Sequence, residues 1–112
     1  MALERGKLSD IVAVSAGSTV GIITVADSKK VYVKSISAYD VTGAGSTAHV
    51  YVIPNGGSVQ DKTKLFHISL VANETALIEP SYPIVLDTTG DQISVGSTGA
   101  TINFFITGDK ES

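Results

Sequence analysis

Thr101-Ile102-Asn103-Phe104-Phe105-Ile106-Thr107 is the stretch from which the fold can be read. Ile102, Phe104 and Ile106 alternate with Thr101, Asn103, Phe105 and Thr107, which is the period of a β-strand with one face turned to a core. Helical spacing would need apolar residues three and four apart, and no such stripe of useful length occurs in the chain. Phe105 interrupts the polar side. It therefore belongs to a second core layer or to a contact between subunits.

Working upstream, residues 92–95 form a short strand, separated from 101–107 by the turn Gly96-Ser97-Thr98-Gly99-Ala100. Residues 83–86 make another, which Asp87-Thr88-Thr89-Gly90-Asp91 turns back. Pro80 and Pro83 bracket Ser81-Tyr82, and because proline cannot donate to a sheet ladder this is a corner or an edge crossing. Residues 65–71 alternate cleanly, with Phe66, Ile68 and Leu70 on one face, and the turn 72–74 leads into a strand over 75–79. Residues 47–53 are a strand stopped by Pro54-Asn55-Gly56-Gly57, and the polar stretch 54–63 is a surface loop. Runs at 10–15, 19–26 and 31–39 are rich in β-branched and aromatic residues.

In the run 31–39 the apolar set switches register, from Val31 and Val33 to Ile36 and Ala38. A β-bulge accounts for the change of face, as does a strand that contacts protein on both sides; the bulge is preferred. The count comes to about eight or nine short strands at the ~8–12-residue spacing of sandwiches and barrels. The expected fold is all-β, an antiparallel β-sandwich of jelly-roll-like type. Residues 10–108 are expected to form it, with an N-terminal arm over 1–9 and a frayed polar tail over 109–112.

Composition narrows what such a domain can do. In 112 residues, charged side chains make up 17%, against about 25% in ordinary globular proteins. Serine, threonine and glycine fill the gap, and a surface with few ions to desolvate suits close contact with another protein. The net charge is −3, from eight basic and eleven acidic residues. The densest cationic spots are Lys29-Lys30 and Lys62 with Lys64, too few to neutralise a run of phosphates, so nucleic acid is not an expected partner. Absence of cysteine removes disulfides and thiolate metal sites. No window reaches the ~18 apolar residues of a membrane span, so no membrane partner is expected. The charged start, Met1 to Leu8, lacks the apolar stretch of a secretory signal, which leads one to expect a chain made in the cytoplasm that leaves it, if at all, by a route such as lysis.

A search for chemistry returns little. His49 shares a strand face with Tyr51 and Ile53, and His67 lies opposite Phe66, Ile68 and Leu70; neither has a ligand partner at metal spacing in the sequence, so packing or surface roles are expected for both. Asp87 and Asp91 could share a calcium ion, although turn capping explains them more simply. No serine stands in a nucleophile elbow, and no pair of acids marks a glycosidase cleft. Neither an enzyme nor a cofactor is expected. The tyrosines and phenylalanines could form a sugar platform, but packing is the preferred reading.

Over residues 47–107 the chain resembles small virion proteins of tailed bacteriophages. The residues that carry the resemblance are Val50-Tyr51-Val52-Ile53-Pro54-Asn55-Gly56-Gly57-Ser58 and Ile68-Ser69-Leu70-Val71-Ala72-Asn73-Glu74-Thr75-Ala76-Leu77-Ile78. Pro83-Ile84-Val85-Leu86-Asp87-Thr88-Thr89-Gly90-Asp91-Gln92-Ile93 and Thr101-Ile102-Asn103-Phe104 complete them. The resemblance implies a virion component assembled in the host cytoplasm: a capsid decoration or cement protein, or an accessory part of neck, baseplate or tail fibre. It implies a homotrimer as one partner state and the major capsid protein, or another virion protein, as the other partner. The contacts expected for such a role are Leu3, Arg5, Leu8 and Ile11 in the arm, Asn55, Lys62 and Lys64 in the long loop, and Phe105. A carbohydrate-binding sandwich using Tyr51 or Tyr82 is the rival from another class.

Overall fold

The computed structural model describes residues 3–26, 29–41 and 45–111. These form ten strands: β1 (Leu3–Lys7), β2 (Val12–Val14), β3 (Thr19–Thr24), β4 (Val31–Asp40), β5 (Ser46–Ile53), β6 (Lys64–Leu70), β7 (Thr75–Ile78), β8 (Ile84–Leu86), β9 (Gln92–Thr98) and β10 (Ile102–Glu111). A 3-10 turn, Asp61–Thr63, precedes β6.

All pairings are antiparallel and make two sheets. In the first, β1 and β2 both lie along β10, β10 pairs with β4, and β7 and β8 both lie along the far side of β4. The second runs β3-β9-β5-β6. Taken as one interrupted strand each, β1/β2 and β7/β8 leave four positions per sheet. The chain changes sheet at every connection except β5 to β6, which is the strand order of a jelly roll. The antiparallel, jelly-roll-like sandwich read from the alternation is the fold.

Both interruptions have local causes. Between β7 and β8 stand Pro80 and Pro83, whose missing N–H groups break the ladder at a sheet edge. Between β1 and β2 the backbone N–H groups of Leu8 and Ser9 both donate to the carbonyl of Ile106, at 2.8 and 3.4 Å. Two residues opposing one acceptor lets the chain step outward before β2 resumes pairing.

The register switch in β4 is a β-bulge. Thr107 pairs with Ser35 and Gly108 with Val33, so Lys34 is the extra residue. The bulge lets Val33, Ile36, Ala38 and Val31 all face the core, each less than a tenth exposed. Opposite it Gly108 is required: a Cβ there would fall inside the contact range of the Tyr32 carbonyl oxygen, and 3.1 Å from Leu8 Cδ1. Phe104, Ile102 and Ile106 fill the centre with no exposure at all, facing Val50, Ile93 and Val95 of the second sheet.

Three expectations are corrected. Residues 3–7 are not a free arm but strand β1, paired residue by residue from Leu3 with Glu111 to Lys7 with Thr107. The tail is likewise strand as far as Glu111, with Asp109 buried and ion-paired to Lys34 at 2.7 Å. The sandwich therefore extends well beyond residues 10–108. The turn placed at 96–100 is shorter, because β9 continues through Gly96 and Ser97, both buried. There the sheet tolerates small residues that sequence alone reads as turn formers.

Candidate functional site

The sandwich turns one face of each sheet outward. The outer side chains of the first sheet follow from the registers. Phe105 pairs with Ser37, and Ser37 with Leu77; Ile11 stands one residue beyond the Val12–Phe104 pair, level with Phe105. The adjacent row is Ala13, Asn103, Tyr39 and Thr75. Thr107 and Ser35 make the next pair on the other side. No member of the Phe105 and Asn103 rows is charged, whereas the Thr107 row also holds Lys7. Ile11 is 66% exposed, Leu77 57% and Tyr39 39%, with Phe105 half-buried among them. Charges stand around these rows, as the Lys34–Asp109 pair beside the bulge, the exposed Lys7–Asp10 pair ahead of Ile11, and exposed Glu79 two residues beyond Leu77. The Lys7 ammonium, hydrogen-bonded to Asp10, holds that carboxyl below its ordinary value.

On the outer face of the second sheet a cross-strand pairing brings the two histidines together. His49 on β5 is directly opposite His67 on β6, with ring centroids 4.8 Å apart and planes at 73°. Tyr51 stacks beside His49 at 6.2 Å, and the Lys64 ammonium lies 5.9 Å from the Tyr51 ring centre. His49 is only 9% exposed although it faces away from the core, and its Nδ1 is buried without a hydrogen-bond partner. Burial, then the Lys64 charge, then His67 lower its pKa from the ordinary histidine value.

The eight contact residues expected from the sequence fall in different places. Ile11 and Phe105 share the uncharged face. Leu8 packs against the core and so is not an exposed contact. Leu3 and Arg5 take their places in β1 opposite Glu111 and Asp109, and their side chains lie outside the described residues. Asn55 and Lys62 are exposed on the loop after β5, while Lys64 joins the histidine cluster. Tyr39 and Leu77 were missed; their signal was the outward phase of alternation in their own strands.

The acids act as turn chemistry. Asp91 accepts the Asn55 N–H at 3.0 Å with one carboxylate oxygen and the Thr88 N–H at 3.1 Å with the other, which engages both in holding loops. Asp40 is fully buried and accepts the Gly45 N–H at 2.8 Å, fastening the connection to β5. Among the described residues no group of three or more His, Asp or Glu side chains is placed to hold a metal ion, and no helix is long and apolar enough to cross a membrane. Tyr51 is 9% exposed and Tyr82 77%; of the two tyrosines named for sugar stacking, only the second offers an open ring.

No protein-family model matches the chain, and no curated protein matches it. Among solved structures, it is similar to a chain of the Bacillus endospore appendages, described as disulfide-linked pili, at 15% identity and TM-score 0.48, covering 97% of this chain and 90% of that one. It is also similar to a chain of the infectious bursal disease virus Gt strain, at 14% identity and TM-score 0.44. A mutant VP2 protein of that virus, from T=1 particles, gives 12% identity and TM-score 0.46. This chain spans 30% of the length of each of those two viral chains.

Proposed function

We propose that this chain is a structural subunit that works by assembling, and that it serves as a capsid decoration or cement protein of a tailed-bacteriophage virion. The observation that carries the assembly reading is the uncharged outer face of the first sheet, where Ile11, Phe105, Leu77 and Tyr39 stand in water with no charge between them. A contact there removes apolar area from solvent at roughly 25 cal/mol per Å² without stripping water from ions. A stable interface needs about 800 Å² from each partner, an area that one face of a multi-stranded sheet can provide. Closed symmetry, a trimer on the virion reading, would also cover edges such as β3 and β6 that leave backbone groups unpaired.

The virion assignment rests on the resemblance of residues 47–107 to small tailed-phage virion proteins. On that reading the mechanism is mechanical: the subunit bridges neighbouring capsomers of the major capsid protein and adds interface area, so that the shell withstands outward pressure. It requires no turnover and no cofactor. The same module in a neck, baseplate or fibre is the second reading, favoured by the same face, and copy number separates the two.

The test is addition of purified chain to phage shells lacking their decoration protein, followed by cryo-electron microscopy. Ordered density at lattice symmetry positions, absent for a Phe105→Asp variant, supports the reading. A chain that stays in the supernatant at saturating concentration sinks the cement assignment.

A further inference from the structure

Nothing in the assembly reading uses His49 and His67, yet they are the strongest concentration of coordination chemistry on the described surface. We infer that the His49–His67 pair is a binding site for an imidazole-preferring divalent transition-metal ion of the Zn²⁺, Ni²⁺ or Cu²⁺ class, with solvent completing the coordination.

The geometry is the main support. A metal about 2.0–2.1 Å from an imidazole nitrogen lies roughly 3.2 Å from that ring's centre. Two rings bound side by side on one ion, at an angle of about 90–110°, then have centres roughly 4.5–5.2 Å apart. The pair stands at 4.8 Å before any ion is added. Direct opposition across β5 and β6 fixes the two Cα atoms by sheet register, so little main-chain freedom is lost on binding. The 73° between ring planes is no obstacle, because ligand rings on one ion need not be coplanar.

His49 supplies a second, independent observation. It is nine-tenths buried on an outward face, and its Nδ1 has no hydrogen-bond partner. A buried polar atom left alone costs about 1–3 kcal/mol, and such orphans in native structures call for a partner that protein atoms do not supply. Metal ligation needs the neutral imidazole. The groups that face His49 are His67 and Lys64 on β6 and Tyr51 on its own strand. Opposite it on β9 stands Gly96, with Ser94 next on that face. Lys64 places a positive charge beside the site and repels the ion.

Isothermal titration of the full chain with zinc sulfate tests the site, at pH about 7.5 and about 5.5, on either side of the histidine range. The expected result is one ion per chain at the higher pH, with affinity at least about tenfold weaker at the lower. His67→Ala, at an exposed position that leaves the core intact, should abolish binding, and circular dichroism confirms that it folds. Lys64→Gln should tighten binding severalfold through removal of the repelling charge. No binding up to about 1 mM zinc, a range that would capture even weak sites, overturns the inference. So does binding that His67→Ala leaves unchanged. Neither result bears on assembly through the other sheet.

Discussion

Replacing Gly108 with alanine should damage this protein more than any other glycine-to-alanine change in its strands. The added Cβ meets backbone: it would overlap the Tyr32 carbonyl oxygen and lie 3.0 Å from that carbonyl carbon, with Leu8 Cδ1 at 3.1 Å. A side chain could rotate away, but the Tyr32 carbonyl is held in β4, at the bulge that keeps Val33 and Ile36 on one face. Relief must come from parting β10 from β4, the pair at the centre of the first sheet. Overpacking of this kind typically costs about 1–3 kcal/mol, and a backbone obstacle puts it at the top of that range. For a domain of this size ~3 kcal/mol corresponds to a fall in Tm of about 10 °C. Gly21→Ala is the control, since a Cβ there meets only Ser94 Oγ, at an ordinary 3.6 Å. Thermal unfolding followed by far-UV circular dichroism gives both values. A Gly108→Ala protein melting within about 2 °C of the parent, or no lower than Gly21→Ala, would refute the bulge account.

Other consequences can be checked alongside. Phe104→Ala empties the centre of the core, where the ring has no exposure, and should lower the unfolding free energy in urea by about 3–5 kcal/mol. Asp91→Ala releases the Asn55 and Thr88 N–H groups; since water can replace the carboxylate at this exposed turn, a loss of about 1 kcal/mol is expected by the same assay. The His49 pKa is lowered on folding, so above the unfolded histidine value of about 6.5 both states are neutral and stability is unaffected. As pH falls from there through the folded value, the unfolded chain takes up the proton first and stability declines. Urea midpoints should therefore drop between about pH 6.5 and 5, above the carboxylate range, and His49→Gln should flatten that decline. A midpoint that rises over that interval contradicts the assigned sign.

Local rules made much of this fold legible. Alternation around Phe104 gave the core face of β10, and the shifted apolar set in residues 31–39 gave the bulge at Lys34. Pro80 and Pro83 marked the break between β7 and β8. At the turn 72–74, Asn73 takes a positive φ of 61° and the Glu74 carboxylate accepts the Val71 N–H, as its turn-forming residues imply. What stayed hidden depends on register between distant strands. His49 and His67 look isolated along the chain, since only the pairing of β5 with β6 across the long loop sets them face to face. Ile11, Phe105 and Leu77 are likewise far apart in sequence, and three antiparallel registers align them. The charged residues near both termini read as solvated ends, although Asp109 is buried against Lys34 and β1 completes the sheet edge. Backbone pairing, to which side-chain polarity is nearly blind, decided those two segments.

Multi-angle light scattering on the purified chain, beside a Phe105→Asp, Leu77→Asp double variant, tests most directly whether the uncharged sheet face holds subunits together. The account predicts that the parent elutes at a multiple of the 11.6 kDa chain mass, and that the variant, with its circular dichroism unchanged, elutes as a single chain. A parent that stays monomeric at about 100 μM, well above the dissociation constant of a stable interface, would contradict it. An assembly that both aspartates leave intact would contradict it equally.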